Sequence, residues 1–136
     1  MKLFMDACAV IYLIESQQEQ GRKTRFLVDD ARKSNVQLAI SRLSFLECRV
    51  LPLKTNNTEL LDCYDRFFRL PGLQVIELDA TVIDIATELR ANHPGSLRTP
   101  DAIQLACAIT SRSDQFLTGD KKLTAIQEIK VTVVES

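Results

Sequence analysis

The sequence predicts an α/β fold, a central parallel sheet of about 4–5 strands with helices on both faces. Two observations predict it. Short apolar runs recur along the chain and alternate with longer segments of helical periodicity. That is the pattern of strand–helix–strand crossover units. The chain has 136 residues, 46% hydrophobic and 26% charged, which suits one ordinary domain over residues 1–136 with a real core. With 4 Gly, 4 Pro and no biased run, disorder and repeat arrays are not expected.

The elements follow in order. KLFM, 2–5, reads as the first strand, and Asp6 leads into the helix-like AVIYLIES. Residues 21–33 set Phe26, Leu27 and Ala31 among charges, an amphipathic helix. VQLAI, 36–40, reads as a buried strand. Ser41 or Ser44 can cap the next helix, which carries Leu43, Leu46, Glu47 and Val50 and is expected to stop near Pro52. Residues 56–70 form a helix ended by Pro71-Gly72, and LQVIEL, 73–78, is a strand. Asp79 caps ATVIDIATELRAN, with Val82, Ile83, Ala86 and Leu89 on one face, until His93-Pro94-Gly95 breaks it. Residues 100–112 form an apolar helix, and within RTPDAIQLACAI, 98–109, Gln104 is the only strongly polar residue after Asp101. DQFLT, 114–118, is a strand, KKLTAI a short helical turn, and KVTVV, 130–134, the last strand.

In parallel sheets the functional crevice lies at the carboxyl ends of the strands. Four acids fall there. Asp6 directly follows KLFM, and Asp120 follows DQFLT after Thr118-Gly119. Asp101 opens a helix after Thr99-Pro100. Glu47 lies about one and a half turns into the helix after VQLAI. Each has an ordinary explanation when taken alone. Thr99 as N-cap, Pro100 at N1 and a dipole-favoured acid account for Asp101, and Asp120 suits a turn. Glu47 and Asp6 stand in apolar surroundings, where an acid is rarely buried unless paired. Together, several carboxylates at one crevice repel each other unless a cation sits between them. All-oxygen ligands suit Mg²⁺ or Mn²⁺, and such ions support attack on a phosphodiester.

Other chemistries are excluded or disfavoured. A net charge of −1 argues against coating nucleic acid by bulk charge, though a local basic groove remains open. No apolar run approaches the roughly 20 residues of a membrane span, and Asp6 interrupts the apolar N-terminus, so a cytoplasmic protein is expected. None of Cys8, Cys48, Cys63 and Cys107 forms CxxC; buried free thiols are expected. The lone His93, expected at the surface, rules out a two-histidine ribonuclease. There is no GxGxxG, P-loop or GxSxG.

The segments FMDACAVIYLIE, SFLECRVLP, LRTPDAIQLACAI and FLTGDKKL, in this order over nearly the whole chain, resemble the PIN-domain ribonucleases, specifically the VapC-type toxins of toxin–antitoxin pairs. RTPDAIQLA followed by FLTGD is the most specific part. The resemblance implies a single PIN-like domain whose Asp6, Glu47, Asp101 and Asp120 bind Mg²⁺ or Mn²⁺ and act catalytically. It puts Thr118 in the place of a pocket-lining hydroxyl residue. It implies a homodimer silenced by an antitoxin segment that fills the groove. The expected activity is endoribonuclease action on single-stranded or loop RNA. Arg98, Lys121 and Lys122, beside site acids, and Arg42 and Arg49, around Glu47, would seat phosphates or else be solvated charges. The helices at 21–33 and 56–70, with Phe67 and Phe68, carry surplus apolar residues that a second copy or partner would cover.

This chain departs from the family in two places. Ala7-Cys8 stands where a hydroxyl residue usually follows the first Asp, and Lys122 where some members carry a fifth acid. The first departure keeps a second reading open, a catalytically weak or inactive PIN-fold binding or scaffold protein. A receiver-like domain would want paired acids at the first strand, where Asp6 stands alone.

Overall fold

Five short strands pair in parallel in the computed structural model, which describes residues 1–135. In chain order the elements are β1 (Lys2–Met5), α1 (Ala7–Glu15), α2 (Glu19–Lys33), β2 (Gln37–Ser41), α3 (Leu43–Lys54), α4 (Thr58–Phe68), β3 (Gln74–Ile76), α5 (Ala80–Asn92), α6 (Thr99–Thr110), β4 (Gln115–Thr118) and β5 (Val131–Val133). A 3-10 turn spans Lys121–Ala125. The sheet order is β3-β2-β1-β4-β5, with every pairing parallel.

Alternate strand residues face opposite layers. Phe4, Ala39 and Phe116 join the core made with α5 and α6. Leu3, Met5, Leu38, Ile40 and Leu117 join the core made with α1 to α4. Both faces of the sheet are dry, which is why the central strands read as unbroken apolar runs. Phe4 pairs in register with Phe116, and their rings stack at 5.5 Å.

Helices α1, α4 and α5 start on side-chain caps. Asp6 accepts the Ala9 N–H, Asn57 that of Leu60 and Asp79 that of Val82. Ser41 accepts the Leu43 N–H, but the cap position of α3 is Arg42, which makes no side-chain cap bond, so neither Ser41 nor Ser44 is the cap. Four further local expectations change. Helix α2 begins at Glu19 and takes in Gly21, where a Cβ would lie 2.1 Å from the Ser16 carbonyl oxygen. Helix α3 runs through Pro52 to Lys54. Pro52 falls in the last turn, where the missing N–H forfeits one bond and few residues follow. Helix α6 starts one residue early, with Arg98 as cap, Thr99 and Pro100 in the first turn and Asp101 third. Helix α5 buries Val82, Ala86 and Leu89, but Ile83 lies 45% exposed off that stripe.

The surplus apolar surface also lies elsewhere than on α4. Phe68 is buried and stacks on Phe45 at 4.0 Å, and Phe67 is half-buried. The exposed large apolar residues include Leu46, Val50, Leu51 and Leu53 on α3 and Phe26 on α2, and none on α4. Among the described residues no helix is long and apolar enough to cross a membrane. All four cysteines are free; Cys48 and Cys107 are buried, Cys8 and Cys63 half-buried.

Candidate active site

The chain leaves the central strand β1 for β2 and β3 on one side, then crosses to β4 and β5 on the other. The order reverses between β1 and β4, and the carboxyl ends of those two strands are where folds of this kind place their functional sites. Asp6 ends β1 there, with its N–H bonded to the Leu117 carbonyl of β4 at 3.1 Å. Its carboxylate caps α1, Oδ1 accepting from Ala9 N at 2.9 Å. Oδ2 accepts from the Thr118 hydroxyl at 2.5 Å. Asp6 is only 7% exposed. Burial, helped by the charges of Asp101 and Glu47, pushes its pKa up to about 6 against the pull of these two hydrogen bonds.

Thr118 is fully buried. It donates to Asp6 and accepts the Asp120 N–H at 3.1 Å. It therefore stands behind the acids and holds them, and does not reach an incoming ligand as a pocket-lining residue would. It also supplies Asp6 with the hydroxyl that Ala7-Cys8 lacks. Asp120 is half-buried and turns Oδ1 to the Lys122 N–H at 2.9 Å, capping the 3-10 turn. Between Asp6 and Asp120 sits Cys8. Burial raises its thiol pKa, and both carboxylates add to that. A Cβ at Gly119 would lie 2.7 Å from Cys8 Sγ and 2.6 Å from the Tyr12 hydroxyl, so any larger residue there would have to displace those side chains of α1.

Glu47, half-buried on α3, accepts from Gln104 Nε2 at 2.9 Å. The same Nε2 donates to Ser44 at 3.0 Å. Gln104 is 3% exposed, and its Oε1 is buried with no partner. An orphan acceptor of this kind costs about 1–3 kcal/mol. Asp101, one turn before Gln104 on α6, accepts the Arg98 N–H at 3.3 Å. Gln104 and Ser44 carried no site role in the sequence reading, where Ser44 was only a candidate helix cap. The signal for Gln104 was one strongly polar residue three places after Asp101 in an apolar helix, hence on the same face; Ser44 left no such signal.

The structure thus brings the charges of Glu47 and Asp101 to bear on Asp6, and that of Asp120 on Cys8 beside it. As the side chains stand, no three His, Cys, Asp or Glu groups among the described residues gather closely enough to hold an ion. The donor set nonetheless fits a hard divalent cation. It is anionic and all-oxygen, and the repulsion felt at Asp6 is what such a cation offsets.

The flanking cations divide in two. Arg98 and Lys122 are exposed beside Asp101 and Asp120, and Lys121 reaches Glu135 at 3.7 Å while 76% exposed. Arg42 and Arg49 are otherwise engaged. Arg42 pairs with Glu77 at 2.7 Å and lies 4.3 Å above the Phe45 ring. Arg49 reaches Asp65 at 3.5 Å. His93 is not a plain surface residue: at 21% exposure it contacts Glu128 at 2.9 Å and holds that carboxyl below its usual range.

The PIN domain family profile matches residues 3–129. Several solved structures are similar. VapBC2 from Rickettsia felis, bound to a DNA fragment from its promoter, shares 18% identity at a TM-score of 0.81, covering 99% of this chain and 100% of that one. DNA-bound VapBC from Salmonella typhimurium shares 18% at 0.74, covering 99% of each chain. VapC20 of Mycobacterium tuberculosis, a sarcin-ricin loop cleaving toxin, shares 14% at 0.73, covering 94% of this chain and 98% of that one. Identities this low establish a common fold. No curated protein matches the chain.

Proposed function

Because the chain belongs to the PIN-domain family, we propose that it is a Mg²⁺- or Mn²⁺-dependent endoribonuclease, the toxin of a toxin–antitoxin pair. The observation that carries this reading is Asp6. It is a buried carboxyl at the point where the strand order reverses, oriented through both oxygens and pressed by two further acids.

Asp6, Glu47, Asp101 and Asp120 are the residues that would hold the divalent ion; bound there, it supplies an activated water and offsets charge on the phosphodiester oxygens. The chain's own groups prepare that place. Thr118 and the Ala9 N–H fix Asp6 by charge-assisted hydrogen bonds. Gln104 fixes Glu47. Asp101 lies in the first turn of α6, where the helix dipole favours an anion. Arg98, Lys121 and Lys122, exposed next to the acids, contact phosphates on either side of the scissile one and keep the strand in register. The substrate is single-stranded or loop RNA, whose backbone can enter a narrow crevice.

Residues 1–136 act as this one domain, in the cytoplasm and as a homodimer. The antitoxin segment takes the groove on α3, about 800 Å³, where Leu46, Val50 and Leu53 line up at helical spacing beside Leu43, Leu61 and Leu78. Support comes from that exposed stripe and from similar proteins solved as VapBC complexes.

A second reading, a PIN-fold scaffold without catalysis, draws on Asp101 and Asp120 each spending an oxygen on a backbone cap. One experiment separates the two. Purified protein is given RNA with single-stranded loops, with Mg²⁺, Mn²⁺ or EDTA, beside Asp101→Asn. Divalent-dependent cleavage lost in the variant supports the nuclease; binding without cleavage under every metal selects the scaffold. Sedimentation that finds only monomer at tens of micromolar concentration removes the dimer.

A further inference from the structure

We propose that Gln104 is a positioning residue that holds the Glu47 carboxylate in the orientation needed to share a divalent cation with Asp101. The inference rests on the reading of Glu47 as a metal-holding acid.

Four observations carry it. Gln104 is the one polar side chain buried within the apolar body of α6, at 3% exposure. It lies one turn after Asp101, so both project from the same side of the helix. Its Nε2 bridges two groups of α3, the Glu47 carboxylate at 2.9 Å and the Ser44 hydroxyl at 3.0 Å. Its Oε1 has no partner at all.

The orphaned oxygen is the informative part. Rotating the amide by half a turn would let the Ser44 hydroxyl donate to Oε1 and remove the buried unpaired acceptor. It would also set a carbonyl oxygen against the Glu47 carboxylate, two acceptors with no proton between them. That rotation would break the hydrogen bond to Glu47. The orientation with an unpaired Oε1 is therefore the one that keeps the Glu47 carboxylate tied to α6. In return Glu47 has one oxygen tied to α6 and the other free. The clasp joins α3 to α6 across 57 residues of sequence. It ties the acid of one helix to the helix that carries the other, as partners behind metal ligands do elsewhere.

The test measures Mn²⁺ binding by calorimetry, independently of cleavage, on wild type, Gln104→Met, Gln104→His and Glu47→Gln. Gln104→Met keeps the side-chain length and removes the N–H. Mn²⁺ affinity is expected to fall about 10–100-fold, with the metal-free circular dichroism spectrum unchanged. Gln104→His, which retains a ring N–H at similar reach, is expected to restore most of the loss. Should the Met variant not fold, Ser44→Ala removes the second group that orients the amide and is expected to lower affinity less. Wild-type affinity in Gln104→Met alongside a loss in Glu47→Gln overturns the positioning role alone. Wild-type affinity in both overturns the reading of Glu47 as a ligand, and the role of Gln104 with it.

Discussion

Asp6 and Asp79 solve the same local problem in the same way. Each follows a strand in extended backbone and caps the next helix, accepting the N–H three residues on at 2.9 Å. Their surroundings differ. Asp6 ends β1, the centre of the sheet, next to β4 where the order reverses, and is 7% exposed. Asp79 follows β3, an edge strand, and is exposed. At the centre the cap is overlaid by a Thr118 hydroxyl and by the fields of Glu47 and Asp101. At the edge it remains a cap. One helix-start motif therefore stands buried among other acids or exposed as a plain fastening, and its place in the sheet decides which.

The sharpest way to break this comparison is to remove both charges in turn. Asp6→Asn is expected to reduce RNA cleavage by orders of magnitude, while Asp79→Asn leaves it at the wild-type rate, read from gel assays with Mn²⁺. Equal losses would put the two acids on the same footing.

The next effect is on stability. The folded pKa of Asp6, about 6, lies above its ordinary 3.8, so the native state binds this proton more tightly than the unfolded chain. Stability of the metal-free protein should therefore fall as pH rises from about 4 to about 6. The Asp6 share is on the order of 3 kcal/mol, at about 1.4 kcal/mol per pH unit. Urea unfolding in EDTA should find Asp6→Asn more stable than wild type at pH 7 and level with it near pH 4. A variant at Asp79 should leave that slope in place.

A smaller effect isolates the overlay from the cap. Thr118→Val keeps the buried volume but removes the donor to Asp6. Mn²⁺ affinity should fall about 10–100-fold. The pH range over which stability is lost should move upward, because that hydrogen bond lowers the Asp6 pKa. Smallest of all, Asp79→Ala should cost about 1 kcal/mol, the usual loss of an N-cap, with Mn²⁺ binding and the slope with pH unchanged.

Much of the scaffold was legible in the residues. Each of the five strands lies within two residues of its apolar run, and the Asp79 cap and the His93-Pro94-Gly95 break stand where expected. These are local signals, carried by periodicity and by contacts over three or four positions. Pro52 misled because its effect depends on how much helix follows it. Phe67 and Phe68 misled because the ring of Phe45, brought from another helix, covers part of α4 and leaves α3 with the exposed stripe. Arg42 and Arg49 look available beside Glu47 in the sequence, yet Glu77 and Asp65 claim them from distant segments. Gln104 was conspicuous, but nothing near it in sequence named Ser44 and Glu47 as its partners.

By itself the sequence determined the element types, their alternation and hence the parallel sheet, together with an acid at the end of β1, another after β4 and others at helix starts. A cap needs only an oxygen and an N–H three residues away, so local order is enough to write it. The strand order was decided by the tertiary structure, and with it everything that separates Asp6 from Asp79. The hydroxyl that orients Asp6 comes from a residue 112 positions away, and the burial that lifts its pKa comes from helices packed on both faces of the sheet. Desolvation and charge act through space between groups that the chain keeps far apart, so they exist only once the sheet has closed around them.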